Sequence, residues 1–166
     1  MATSNTAGVY FLATEHAEAV QRFLADPELA RMIGTLGPPF PGSGSEIVVR
    51  ASEARIAGDA YWNAIVDRGK TKGLSAIIGP YTPEPRIGVW IEPEARRHGY
   101  GRLATGLGLE LAFRNLQVPH VFGTSDRADQ ASRRLLDLFG FESLDGSDEL
   151  RRLTRAEWIG HRVHRA

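Results

Sequence analysis

Apolar positions recur along the chain in two rhythms, and the switches between them mark out the elements. Residues 9–13 read as a strand. Thr14 then caps a helix through Leu24 whose apolar side is Ala17, Val20, Phe23 and Leu24. Asp26-Pro27 restarts the helical rhythm with an acidic cap and a Pro in the first turn, which predicts a short helix over 28–33 ending at Gly34. Residues 37–44, dense in Pro and Gly, read as an exposed loop, after which Ser45 caps a helix to about Ile56. Strand patterns follow at 61–66 and 74–78, joined through 67–73, and again at 86–91.

The longest apolar stretch predicts a helix over 101–116, where Leu103, Leu107, Leu109, Leu111 and Phe113 leave little polar face, so a central, buried element is expected. Gly106 and Gly108 cost helix propensity there and suit close packing on a sheet. A strand at 118–124 and a helix at 129–139 come next, the helix with Leu135, Leu136, Leu138 and Phe139 as its apolar face and Gly140 as a left-handed stop. Residues 141–144 and 150–153 pair around the turn Asp145-Gly146-Ser147, and the basic tail reads as frayed. This order predicts a mixed α/β or α+β fold, mostly antiparallel, in one domain over residues 1–166.

Composition narrows the chemistry. At 42% apolar and 24% charged residues the chain is an ordinary soluble globular protein. Its formal net charge of zero offers no field for nucleic acid or an acidic membrane, so neither partner is expected. The absence of cysteine removes thiolate catalysis and Cys-based metal sites, and His161 and His164 lack further ligands, so no metal is expected. The start of the chain lacks a leader pattern and no stretch is long enough to span a membrane, which predicts a cytoplasmic protein, monomeric or homodimeric. The basic residues Arg151, Arg152, Arg155, Arg162 and Arg165 alternate with acids and read as a solvated face.

One stretch concentrates positive charge and backbone freedom. Arg96-Arg97-His98-Gly99-Tyr100-Gly101-Arg102 lies between a strand and the start of the longest helix. Two glycines allow close backbone approach where unpaired N–H groups and the positive helix end converge, the requirements of an anion site. A dinucleotide fingerprint fits poorly because residues 92–98 separate these glycines from the strand, and a triphosphate loop lacks its Gly-Lys-Ser/Thr. Among the aromatics Tyr61, Trp62, Trp90 and Phe122, Trp90 has the strongest claim on a pocket, being next to this loop.

The segment from Arg96 to Gly101 resembles the signature of the GNAT superfamily of acyl-CoA-dependent N-acetyltransferases: Arg or Gln, two residues, Gly, one residue, Gly or Ala. The strand and Pro-Glu step Ile87-Gly88-Val89-Trp90-Ile91-Glu92-Pro93-Glu94 and the segment from Asp129 to Phe141 are similar to that superfamily too. Asp26-Pro27-Glu28 and Leu153-Thr154-Arg155-Ala156-Glu157-Trp158 resemble its Rim-type branch, the ribosomal-protein alanine N-acetyltransferases.

The resemblance implies a splayed sheet with a V-shaped opening between the strands ending near Ile91 and starting near Val118, where the pantetheine arm of acetyl-CoA inserts beside Trp90 and Ile91. Arg96, Arg97, His98, Gly99, Tyr100, Gly101 and Arg102 would hold the pyrophosphate, and Asp129, standing where the family often has Asn, would lie near the arm. A backbone N–H near Ile91 would stabilise the oxyanion formed as a primary amine attacks the thioester, worth ~3 kcal/mol. That amine is a protein N-terminus or a small molecule.

Leu136 stands where many members carry a Tyr general acid, so Ser132 or water would serve the thiolate, or it leaves unaided. Arg86 stands at a frequent Glu of the branch, so a base is not carried over; Glu84 and Glu92, on either side, are candidates, and an α-amino acceptor demands less help than a lysine. These departures also allow a CoA-binding regulatory or interaction module without turnover.

Overall fold

The computed structural model describes residues 6–34, 42–125, 129–144 and 146–165. Seven strands form one sheet in the order β1-β2-β3-β4-β5-β7-β6. They are β1 (Gly8–Phe11), β2 (Ala60–Asp67), β3 (Lys70–Ile78), β4 (Arg86–Ile91), β5 (His120–Thr124), β6 (Glu142–Leu144) and β7 (Ser147–Thr154). All neighbours are antiparallel except β4 and β5. A parallel pair needs a crossover, and the helix after β4 supplies it.

Helices α1 (Ala17–Phe23), α2 (Pro27–Ile33) and α3 (Gly44–Ala57) cover one face, while α4 (Tyr100–Glu110), α5 (Gln130–Phe139) and α6 (Arg155–Arg165) serve the other. The alternation of strand side chains produces two cores. Trp62, Leu74 and Trp90 pack with Phe23, Leu29 and Ile33 on the first face. Ile77, Val121 and Leu153 pack with Leu109, Phe113 and Trp158 on the second.

Several elements depart from the expectations of pattern alone. Thr14 is the first residue of a 3-10 turn, Thr14–His16, rather than a cap, and the α-helix begins only at Ala17. The cap of α3 is Ser43, not Ser45: the Ser43 hydroxyl accepts the Glu46 N–H at 3.2 Å. The β2–β3 hairpin is tighter than expected, because Arg68 and Gly69 turn with φ of 51° and 74° and β3 starts at Lys70. Positive φ at both central residues matches the twist of paired strands.

Nor is α4 buried all round. Ala104, Thr105, Gly108 and Leu109 face the sheet while Leu107 is exposed, and a π turn, Leu111–Asn115, completes it. Gly108 permits the close approach, since a Cβ there would lie 3.0 Å from Ile87 of β4. The tail is the ordered helix α6, fastened by a reciprocal cap: Thr154 N–H donates to Glu157 at 2.8 Å and Glu157 N–H to the Thr154 hydroxyl at 3.2 Å. Most of the expected loop at 37–44, and Asp145 of the last turn, lie outside the described residues.

Candidate active site

The parallel pair at the centre of the sheet is open. Arg86 opposite Phe122 is the one register between β4 and β5, secured by Phe122 N–H donating to the Pro85 carbonyl at 2.8 Å. Beyond that vertex, residues 87–91 keep an edge that no strand among the described residues pairs with, on the side away from β3. The chain leaves this edge through Glu92 and a 3-10 turn, Pro93–Ala95, and enters α4.

The start of α4 differs from those of α2, α3, α5 and α6, and like α1, which continues a 3-10 turn, it has no side-chain cap. The helices α2, α3, α5 and α6 each begin with a side chain that accepts a first-turn N–H: Asp26, Ser43, Asp129 and Thr154. Gly99, at the N-cap of α4, has no side chain to do so. Its φ of 83° is a left-handed conformation, and a Cβ built there meets nothing within 4 Å, so the space in front of the helix is open. The first helical bond runs from Leu103 N–H to the Gly99 carbonyl at 3.0 Å, leaving the N–H groups of Tyr100, Gly101 and Arg102 at the positive end of the helix. No acidic residue lies in that first turn.

The loop is held in shape by groups that point away from this opening. Arg96 donates through Nε to the Ile91 carbonyl at 3.1 Å, and its guanidinium stands 3.8 Å from Asp26 and 3.7 Å from Glu28. Arg96 therefore orders the loop against α2. His98 Nδ1 lies 3.1 Å from the Ala95 carbonyl and 2.8 Å from that of Arg96, so it carries the proton, because carbonyls only accept. The Tyr100 hydroxyl donates to Asp67 at 2.6 Å, tying the helix start to the β2–β3 hairpin. That bond, ahead of desolvation, pushes the phenol above its usual range. Arg97 takes a φ of 66°, and the side chains of Arg97 and Arg102 are exposed beside Gly99.

The remaining sequence candidates divide between the two ends of β4. Trp90 is buried against Phe23, ring centroids 4.9 Å apart, with its indole N–H unpartnered; Ile91 is half-buried beside it. Glu92, at the loop end, pairs with Lys72 at 3.9 Å. Glu84 lies before the other end, exposed and 3.4 Å from Arg86. At the start of α5, Asp129 accepts both the Ser132 N–H at 3.0 Å and the Ser132 hydroxyl at 2.6 Å. Leu136 is a core residue against Gly123, so no proton donor stands there.

The structure adds a groove of about 700 Å³ that the sequence did not suggest. It starts at Gly99 and Arg102, runs along Leu103 and Gly106 of α4, and reaches Phe139, Trp158 and His161. One of its walls is α6, which a reading of the tail as frayed removes; the spacing Thr154-x-x-Glu157 was the available signal.

An open parallel strand pair with an uncapped, glycine-bearing helix start at its mouth is the arrangement the described residues present here. The chain belongs to the GNAT acetyltransferases, whose acetyltransferase (GNAT) domain matches residues 10–142. The fold is shared with a ribosomal-protein-S5-alanine acetyltransferase from Vibrio fischeri, at 13% identity and a TM-score of 0.73, covering 95% of this chain and 97% of that one. RimJ of Mycobacterium smegmatis, solved with CoA-disulfide, aligns at 20% identity and a TM-score of 0.72 over 96% of this chain and 88% of its own. A spermidine N-acetyltransferase from Vibrio cholerae, solved with CoA and spermine, aligns at 15% identity and a TM-score of 0.67 over 95% and 99%. No curated protein matches the sequence.

Proposed function

We propose that the chain transfers an acetyl group from acetyl-CoA to a primary amine by direct attack, without a covalent enzyme intermediate. The observation that carries this reading is the uncapped start of α4 at the mouth of the β4–β5 opening. The residues present fit the cosubstrate: N–H donors at Tyr100, Gly101 and Arg102, no side-chain bulk at Gly99, and cationic Arg97 and Arg102 beside them suit a pyrophosphate. The edge of β4 at Trp90 and Ile91 suits an amide-bearing arm, and the groove from Arg102 toward Trp158 suits the nucleotide end. Bound there, acetyl-CoA supplies an activated acyl group.

The chain's own contributions are orientation and charge. Arg96 and Tyr100 hold the loop to α2 and to the hairpin, and Asp129, by capping α5, shapes the wall beside the opening. Glu84 and Glu92 flank β4 as carboxylate candidates for the base, and the Ser132–Asp129 pair is a candidate proton source for the departing sulfur. The Rim-type neighbours favour a protein N-terminus as acceptor and the polyamine neighbour a small molecule.

Purified protein incubated with acetyl-CoA and a panel of amines, among them an alanine-initiated peptide and spermidine, should yield a monoacetylated product by mass spectrometry together with free thiol. No transfer to any of them contradicts the reading. Saturable CoA binding without transfer would instead support a regulatory module. That second reading is favoured by Leu136 in the core and by the pairing of Glu84 and Glu92 with cations.

A further inference from the structure

Strand alternation puts Phe122 at the vertex and His120 two residues before it on one face of the sheet, and no motif singles out either. Val121 and Gly123 of β5 turn toward α5, Val121 into the core and Gly123 against Leu136. His120, Phe122 and Thr124 therefore stand on the opposite face. That face carries Arg86, Gly88 and Trp90 of β4, since Met32 of α2 lies over Gly88 and Phe23 of α1 packs on Trp90. Phe122 is the vertex residue, opposite Arg86, and the His120 ring meets it edge-on with centroids 5.3 Å apart and planes at 86°.

The state of the His120 ring follows from its one hydrogen bond. Nε2 lies 3.1 Å from the Pro83 carbonyl, which can only accept, so the proton sits on Nε2 and Nδ1 keeps its lone pair. Among the described residues nothing bonds to that nitrogen. The other candidates are engaged: Glu84 by Arg86, Glu92 by Lys72, and Ser132 as a donor to Asp129. An ammonium must lose a proton before its nitrogen can attack, and an imidazole nitrogen that keeps its lone pair can accept one.

We propose that His120 takes the proton of the incoming amine, an assignment that rests on the acetyltransferase reading above. One ammonium N–H bond breaks and its proton passes to Nδ1, directly or through one water. The freed electron pair forms the C–N bond of the amide as the thioester C–S bond breaks, and the pair of that bond stays on sulfur. A second proton lost from nitrogen balances the one sulfur gains, and the imidazolium releases the first to solvent. The charged groups around the ring are Glu84 and Arg86 on the segment entering β4 and Arg152 on β7, where Thr154 lies opposite His120.

His120→Gln tests this, because its amide N–H preserves the contact to Pro83 while removing the base. Relative to wild type, kcat/KM for the amine should fall about 100-fold. Acetyl-CoA affinity by calorimetry should stay within about twofold. Nitrogen NMR of the wild-type imidazole, which needs no variant, should show the N–H on Nε2 at neutral pH and above. A proton on Nδ1, or a variant with the wild-type rate, overturns the assignment while leaving acetyl transfer standing. A wild type that transfers to no amine removes the functional reading itself.

Discussion

Two neighbouring helices on one face of the sheet, α4 and α5, treat the same physical problem at their starts in opposite ways. At α5, Asp129 accepts the first-turn N–H and the hydroxyl of Ser132, so the helix satisfies itself. At α4, Gly99 offers nothing, and the N–H groups of the first turn face open space. Leu135, midway along α5, packs beside Gly101 of α4, so the two helices are neighbours while only one leaves its start open. A cap stabilises the fold; a missing cap beside a glycine leaves that stabilisation to a ligand.

Reversing this difference should have the largest effect. Gly99→Asp places a carboxylate in the cradle at a left-handed position that Asp tolerates, and acetyl-CoA affinity should fall about 100-fold by calorimetry. Gly99→Asn, of the same shape without the charge, should weaken binding by about tenfold or less, separating charge from bulk. At α5 the opposite ranking holds. Asp129→Ala should cost about 1 kcal/mol of stability, seen as a Tm lower by roughly 2–4 °C, and weaken acetyl-CoA by no more than about threefold.

A smaller effect is expected where the cradle is braced. Tyr100→Phe removes the hydrogen bond to Asp67 and should weaken acetyl-CoA by about two- to fivefold, a loss of about 0.5–1 kcal/mol, without a change in fold by circular dichroism. The smallest concerns a third helix start. The Thr154 N–H holds the Glu157 carboxyl below its ordinary value, so the bond contributes stability above the unfolded pKa and loses it as pH falls through the lower folded one. Amide exchange at residues 155–158 should therefore accelerate in that acidic window in wild type and be pH-independent beyond the intrinsic rate in Glu157→Gln.

The uncapped start of α4 was legible in the sequence because its requirement is local: a glycine at the N-cap, a second within the first turn, and cations among them occupy a few consecutive positions. The Asp26-Pro27 start was legible for the same reason, and Asp26 does cap α2. Where two capping residues compete, position is set by the partner three residues on; Ser43 reaches Glu46 and Thr154 reaches Glu157, and weighing that spacing corrects both Ser45 and the frayed tail. The Arg68-Gly69 turn was hidden because Arg seldom adopts a positive φ, which here the strand twist imposes. His120 was hidden for a deeper reason, since its proton is placed by a carbonyl 37 residues away, across the one register that joins β4 to β5.

The account turns on which backbone N–H groups meet the cosubstrate, and amide NMR during an acetyl-CoA titration reads them one by one. Saturable shifts should be largest at residues 99–102, with those at 130–132 clearly smaller because Asp129 already occupies that helix end. Saturable binding that leaves residues 99–102 unmoved would contradict the assignment of the α4 start as the pyrophosphate site.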